Sequence, residues 1–302
     1  MKCKVYYFII IPLIIMVLFN SCSPEKNASR NILNKTAKSY SADYFSGKAE
    51  ICSYELEKAR YDSTHPGEAV LIFVTEPFLP IKQVKADDYS AQDYVQVLKM
   101  NRVDRFVTGI YDYSQFTSVF TPLYRYNPAF PLKITMSSQD WCGQSFMQLN
   151  NNNGFDVLLR SYFESEGDEN IHLEYAIAED NIFNLIRIDE ELLPTGNFEI
   201  IPSFAFKRSS HTKENTFKAK ATLKTKSDAS IYSYEIPELN RSVEIVFDPN
   251  NNNKITSWKE TYPTVFDQEM RTSSYTLKKV QHVPYWEMNK AEDVIFRDSL
   301  GL

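Results

Sequence analysis

The chain has 302 residues, a net charge of −6 and a pI near 5.4. An acidic chain with no basic stripe lacks what a phosphate backbone demands, which excludes nucleic acid as an expected partner. Aromatic residues make up 14% (19 Tyr, 20 Phe, 3 Trp) against only 8 Gly, a balance that favours sheet and disfavours glycine-rich nucleotide cradles.

Lys2 and Lys4 precede an apolar run of about 15 residues, Val5 to Phe19, interrupted by Pro12. A spanning helix needs roughly 20 apolar residues, so the run reads as the middle of a secretory signal. It ends on Phe19-Asn20-Ser21-Cys22, which is similar to the relaxed box of Bacteroidota lipoproteins. Residues 1–21 are expected to be removed and Cys22 to be lipidated. Burying acyl carbons contributes about 0.8 kcal/mol per methylene, so two or three chains suffice for stable anchoring. Loss of Lys2 and Lys4 leaves the mature chain at about −8. The expected location is the cell envelope, lipid-anchored, with the outer membrane favoured over the inner. Residues 22–45 carry Ser, Asn and Lys without apolar period and read as a tether.

Residues 46–302 read as a β-rich body, either whole or in halves at 46–178 and 190–302. Strands are expected over Ala49–Tyr61, Ala69–Val74, Ile81–Lys85, Tyr94–Met100, Val103–Tyr111 and Phe116–Phe120. Pro122, Pro128 and Pro131 mark a loop. Strands resume over Leu132–Met136, Cys142–Leu149 and Phe155–Phe163, with a turn at Asn150-Asn151-Asn152-Asn153-Gly154. Glu179–Glu191 breaks the rhythm: Ile182, Leu185 and Ile186 have helical spacing, and Pro194 and Gly196 stop it, giving one short helix as a lid or divider. In Thr216–Thr225, Phe217, Ala219, Ala221 and Leu223 alternate with Lys218, Lys220, Thr222 and Lys224, the mark of an antiparallel strand with one dry face. Strands follow over Ser230–Ile236, Val243–Phe247, Ile255–Trp258 and Tyr275–Val280, and a terminal helix is possible over Asn289–Leu300. The fold class is all-β, mainly antiparallel: a barrel, half-barrel or sandwich with one short internal helix and a C-terminal one.

Four cysteines reduce to two in the folded body, Cys52 and Cys142. A bond between them would close a loop of about 90 residues, worth about 4 kcal/mol in the chain-entropy model. Two unpaired, buried thiols are the preferred expectation. Gln139-Asp140-Trp141-Cys142-Gly143-Gln144-Ser145-Phe146 faintly resembles the papain-type segment, with His282 and Asn289 downstream. The residue matching that family's nucleophile is Ser145, so Gln139, Cys142 and His282 are weak catalytic candidates. The competing reading puts Trp141 and Cys142 in the core beside a Gly143 bulge. Asp248-Pro249-Asn250-Asn251-Asn252 reads as a hairpin turn, since Asn253 and Lys259 stand where a calcium loop needs Gly and Glu. Glu164, Glu166, Asp168 and Glu169 read as a solvated loop. His65, His172, His211 and His282 show no zinc spacing, so no metal or other cofactor is implied.

Polar residues gather on the first strands: Glu50, Arg60, Glu76, Lys85, Lys99, Asn101 and Arg105. They face water, pair, or line a groove. Arg60, Lys85, Lys99, Asn101 and Trp141 are the ligand-binding candidates.

The strings Gly47-Lys48-Ala49-Glu50-Ile51, Val97-Leu98-Lys99-Met100-Asn101, Thr108-Gly109-Ile110-Tyr111-Asp112-Tyr113-Ser114 and Gln139-Asp140-Trp141-Cys142-Gly143 resemble an uncharacterised family of Bacteroidota lipoproteins. Its members are often labelled "septum formation inhibitor Maf". Maf nucleotide pyrophosphatases carry an N-terminal Ser-Pro-Arg-Arg. Here Ser23-Pro24 is followed by Glu25-Lys26, so that activity is not expected. The resemblance implies a location and no reaction. The expected function is a membrane-tethered binding or assembly module, for a hydrophobic ligand or an envelope protein. The alternatives are an envelope hydrolase using Cys142, and a glycan binder that exposes Trp258 or Trp286.

Overall fold

Alternating apolar and polar side chains give strands with one face to bury, and curling a single long sheet buries all those faces together. The structure, a computed structural model, describes residues 46–87, 93–213 and 215–302. The expected signal, Cys22 and the expected tether lie outside the described residues.

Strands β1 (Ala49–Arg60), β2 (Ser63–Leu79), β3 (Val84–Lys85), β4 (Val95–Thr108), β5 (Tyr111–Pro122), β6 (Lys133–Asp140), β7 (Gly143–Asn151), β8 (Phe155–Ser161) and β9 (Glu169–Leu173) make the first run. The second comprises β10 (Ile177–Ala178), β11 (Gly196–Ile201), β12 (Phe217–Thr225), β13 (Ser230–Ile236), β14 (Arg241–Asp248), β15 (Lys254–Pro263) and β16 (Met270–Val283). All sixteen belong to one sheet, ordered β10-β11-β12-β13-β14-β15-β16-β1-β2-β4-β5-β6-β7-β8-β9, with β3 beside β2. Among the described residues, only β10 and β11 pair in parallel. The sheet is all-β in class and open.

Its curl follows from connectivity. β9 ends at Leu173 on one edge and β10 starts at Ile177 on the other. Four residues of chain span at most about 14 Å, so the two edges approach each other without pairing. Inside the curl runs helix α1 (Ile182–Ile188), flanked by 3-10 turns at Glu179–Asn181 and Glu190–Leu192. All seven α1 residues are buried, as expected of a helix enclosed on every side. Asn184 Nδ2 donates to Leu98 O (3.0 Å) and Thr121 Oγ1 (2.7 Å), which fixes the helix to β4 and β5. A second helix, α2 (Phe204–Ser210), links β11 to β12, and α3 (Phe296–Leu300) lies along β16. The main core runs from Cys52, Leu71 and Met136 through Ile182, Leu185 and Ile186 to Tyr232, Ile245 and Trp258.

The helix expected over Glu179–Glu191 is present, but it fills the interior rather than covering an opening. Tyr94–Met100 and Val103–Tyr111 are one strand, β4, because Asn101 and Arg102 extend the pairing with β2. Ile81–Lys85 forms only the two-residue β3. Glu169 opens β9, and Glu166 is held by His211 and Ser161, so the acidic cluster is only partly a solvated loop. The Asn150–Gly154 turn forms as expected. Gly154 takes φ 123°, where a Cβ would lie 2.7 Å from Leu173 O.

Candidate functional site

Antiparallel pairing sorts the turns into two ends. The chain enters β1 at Ala49 beside Val283, and β1 runs ten residues, about 33 Å, from Glu50 to Arg60. The end around Ala49, Pro122, Asn151–Phe155 and Asp248–Lys254 is where the chain enters β1, and it is called the tether end after the role expected of residues 22–45. The opposite, loop end gathers the β1–β2, β4–β5, β6–β7, β8–β9 and β15–β16 connections and α2.

At the loop end, Arg60, Tyr61, Tyr111, Tyr113 and Trp141 meet. Tyr61 Oη bonds Tyr113 Oη at 2.7 Å and Tyr111 Oη at 2.9 Å. The Arg60 guanidinium lies over the Tyr61 ring at 4.7 Å and the Tyr113 ring at 5.6 Å. Tyr111 is 6.4 Å from Trp141, ring to ring. A cavity of about 150 Å³ opens beside Arg60, lined also by Ala59, Tyr61, His211, Tyr262 and Phe266. Exposed apolar side chains crown this end: Ile110, Trp141 (68% exposed), Tyr162, Val265 and Phe266 (72%). Isolated exposed hydrophobics are ordinary, but a set concentrated on neighbouring turn tips marks an interaction surface. Behind it lie buried polar atoms without a hydrogen-bond partner: Thr108 Oγ1, Gln115 Oε1, Ser145 Oγ and Nε of both Arg60 and Arg208.

Deeper inside, charged groups form a sealed network. Arg102 donates to both Asp104 oxygens (3.0 and 2.8 Å), to Glu260 Oε1 (3.0 Å) and to Tyr275 Oη (2.6 Å). Arg241 Nη2 reaches Glu260 Oε2 at 3.1 Å and also donates to Glu179. Trp258 stacks on Tyr275 at 4.0 Å and donates from Nε1 to Glu260. Burial alone would push Glu260 up, but Arg102 and Arg241 hold it well below the usual carboxylate range. Asp180 lacks such a cation contact: burial pushes it up to about 6, against the hydrogen bond from Phe204 N–H and with the Glu179 charge adding to the rise. These charges pair with one another, leaving Arg241 Nη1 buried without a hydrogen-bond partner, and the network is structural.

Of the ligand-binding candidates, only Arg60 and Trp141 lie at the loop end. Lys85 is exposed on β3. Lys99 pairs with Glu76 at 2.8 Å, and Asn101 accepts from Ser118 at 2.7 Å, both on β4. Gln139 is the penultimate residue of β6 and Cys142 sits in the β6–β7 turn at the loop end, whereas His282 is 3.2 Å from Glu50 at the tether end. No hydrolytic constellation forms from these three.

Cys52 is buried, Cys142 is exposed, and both are free. The expectation of two buried thiols holds for Cys52 only, because Trp141 and Cys142 occupy a hairpin tip rather than the core. Burial pushes the Cys52 thiol up, with Glu50 adding to the effect. Trp258 is 1% exposed and cannot stack on a sugar, while Trp286 is 45% exposed. A wider groove of about 900 Å³ lies at the tether end between Ile81, Tyr126, Phe130, Asn151 and Tyr175.

The tyrosine hydroxyl chain and the network of Arg102 and Arg241 escaped the sequence reading. Their members are scattered along the chain and meet only through strand register. Among the described residues, no cluster of His, Cys, Asp and Glu is arranged to hold a metal ion, and no helix is long and apolar enough to cross a membrane. No protein-family model matches the chain, and no curated protein matches its sequence.

Proposed function

We propose that this is an envelope lipoprotein that works as a non-catalytic binding module, tethered through acyl chains on Cys22 and meeting its partner at the loop end. The observation that supports the reading is that exposed Val265 and Phe266 line the Arg60 cavity and exposed Trp141 and Tyr162 stand on turns at the same end of the sheet, opposite the start of β1. A rigid sheet of this length holds such a surface off the membrane. The interior beneath α1 is filled by side chains, so a hydrophobic ligand is assigned to the loop end rather than to the middle of the curl. The lipoprotein-like start of the chain supports the location.

Photo-crosslinking in living cells tests the binding face. p-Benzoylphenylalanine placed at Trp141 or Phe266 is expected to give discrete adducts. The same group at Glu57 or Glu244, exposed on the outer sheet face, is expected to give none. Equal adduct patterns from all four positions would contradict the proposal.

A further inference from the structure

We infer that the Arg60 cavity binds a carboxylate carried on a small apolar body. The inference rests on the loop end being the binding face proposed above, and adds the chemical class of what enters it.

Arg60 has no carboxylate within ion-pair distance among the described residues. Its Nη1 donates to Ser209 O at 2.6 Å, and its Nε is buried without a partner. Two acids at the loop end already have partners. Glu166 is bound by His211 and Ser161 and lies 3.6 Å from Arg208. Asp267 takes two bonds from Arg271, each at 2.6 Å, and one from Thr264. Burial opposes the charge on Arg60, and the Tyr113, Tyr61 and Tyr262 hydroxyls outweigh it, so the side chain stays a cation. A half-buried guanidinium stacked on aromatic rings has its faces covered, but its charge remains unbalanced. With Nε buried and Nη1 bonded to Ser209 O, the guanidinium offers a carboxylate its charge and a single charge-assisted bond rather than the full fork.

The rest of the cavity sets the other half of the ligand. Ala59, Tyr262, Val265 and Phe266 give it an apolar wall, and Thr264 Oγ1 is taken up by Asp267 and Arg271. A volume of about 150 Å³ matches one ring or one branched side chain, since apolar cavities of about this size take up benzene. That chemistry is shared by a free aryl or alkyl acid and by the C-terminus of a peptide ending in a bulky apolar residue.

Calorimetric titration of the mature protein in detergent micelles tests the inference, with benzoate, hexanoate and N-acetyl-leucine as the three carboxylates. Each is compared with its neutral counterpart: benzyl alcohol, hexanol and N-acetyl-leucine amide. At least one acid is expected to bind at least tenfold more tightly than its neutral counterpart, and which acid it is separates the sources. Arg60→Gln is expected to erase that preference and Arg60→Lys to keep part of it. Should Arg60→Gln fail to fold, the acid-to-neutral ratio in the unaltered protein still decides. Equal binding of acid and neutral forms, no binding of any acid at millimolar concentration, or an unchanged ratio in a folded Arg60→Gln would each overturn the inference. Adducts at Trp141 and Phe266 without acid binding would remove the ligand class and leave the binding face. Loss of both would remove the face as well.

Discussion

Asp180 shows how one buried carboxyl sets a pH dependence. Its pKa is about 6 in the fold and 3.8 in the ordinary state, so the folded protein binds its proton more tightly than the unfolded chain does. The group is most favourable below about pH 4, and that contribution is lost as pH rises through about 6, a swing of about 3 kcal/mol. Asp180→Asn keeps an oxygen for the Phe204 N–H and removes the titration. Denaturant unfolding at pH 4.5 and 7.5 is expected to show the variant gaining on the wild type by roughly 1–3 kcal/mol between the two values. A constant difference would contradict the assignment. Neither Asp180 nor its neighbour Glu179 is distinctive in sequence. Arg60 and Trp141 were legible, one among the polar residues gathered on the first strands and the other as part of an unusual string. Arg102 and Glu260 were not, because 158 residues separate two groups that only register brings to 3.0 Å.

At the scale of elements, period 2 revealed most strands and period 3.6 revealed α1. Phe217, Ala219 and Ala221 of β12 alternate in burial as their spacing implies. The placement of α1 was not legible, since an apolar helix surrounded by sheet and one lying across its mouth have the same composition. Helix α2 was missed because Phe204–Ser210 is short and follows Pro202 without a clear period. Leu185, fully buried on α1, tests whether the helix is packed structure or a movable cover. Leu185→Ala is expected to cost about 2–5 kcal/mol in denaturant unfolding, with Ile110→Ala at the exposed tip near zero. A loss below about 1 kcal/mol at Leu185 would mean a loosely filled interior, and would return the ligand to the middle of the curl.

At the scale of the whole molecule, one sheet does two jobs. Its curl, with the edges β9 and β10 four residues apart, encloses a helix and a network of paired charges. Its length separates the point where the chain enters β1 from Arg60 and the loops that carry the exposed aromatics. That separation has a use only if residue 22 is fixed to a membrane. The most direct measurement is metabolic labelling with an alkyne fatty acid, followed by mass spectrometry of the N-terminal peptide and fractionation of the cells. The expected result is a mature chain starting at an acylated Cys22 in the membrane fraction, with Cys22→Ser unlabelled. An intact, unacylated chain in the soluble fraction would contradict the account.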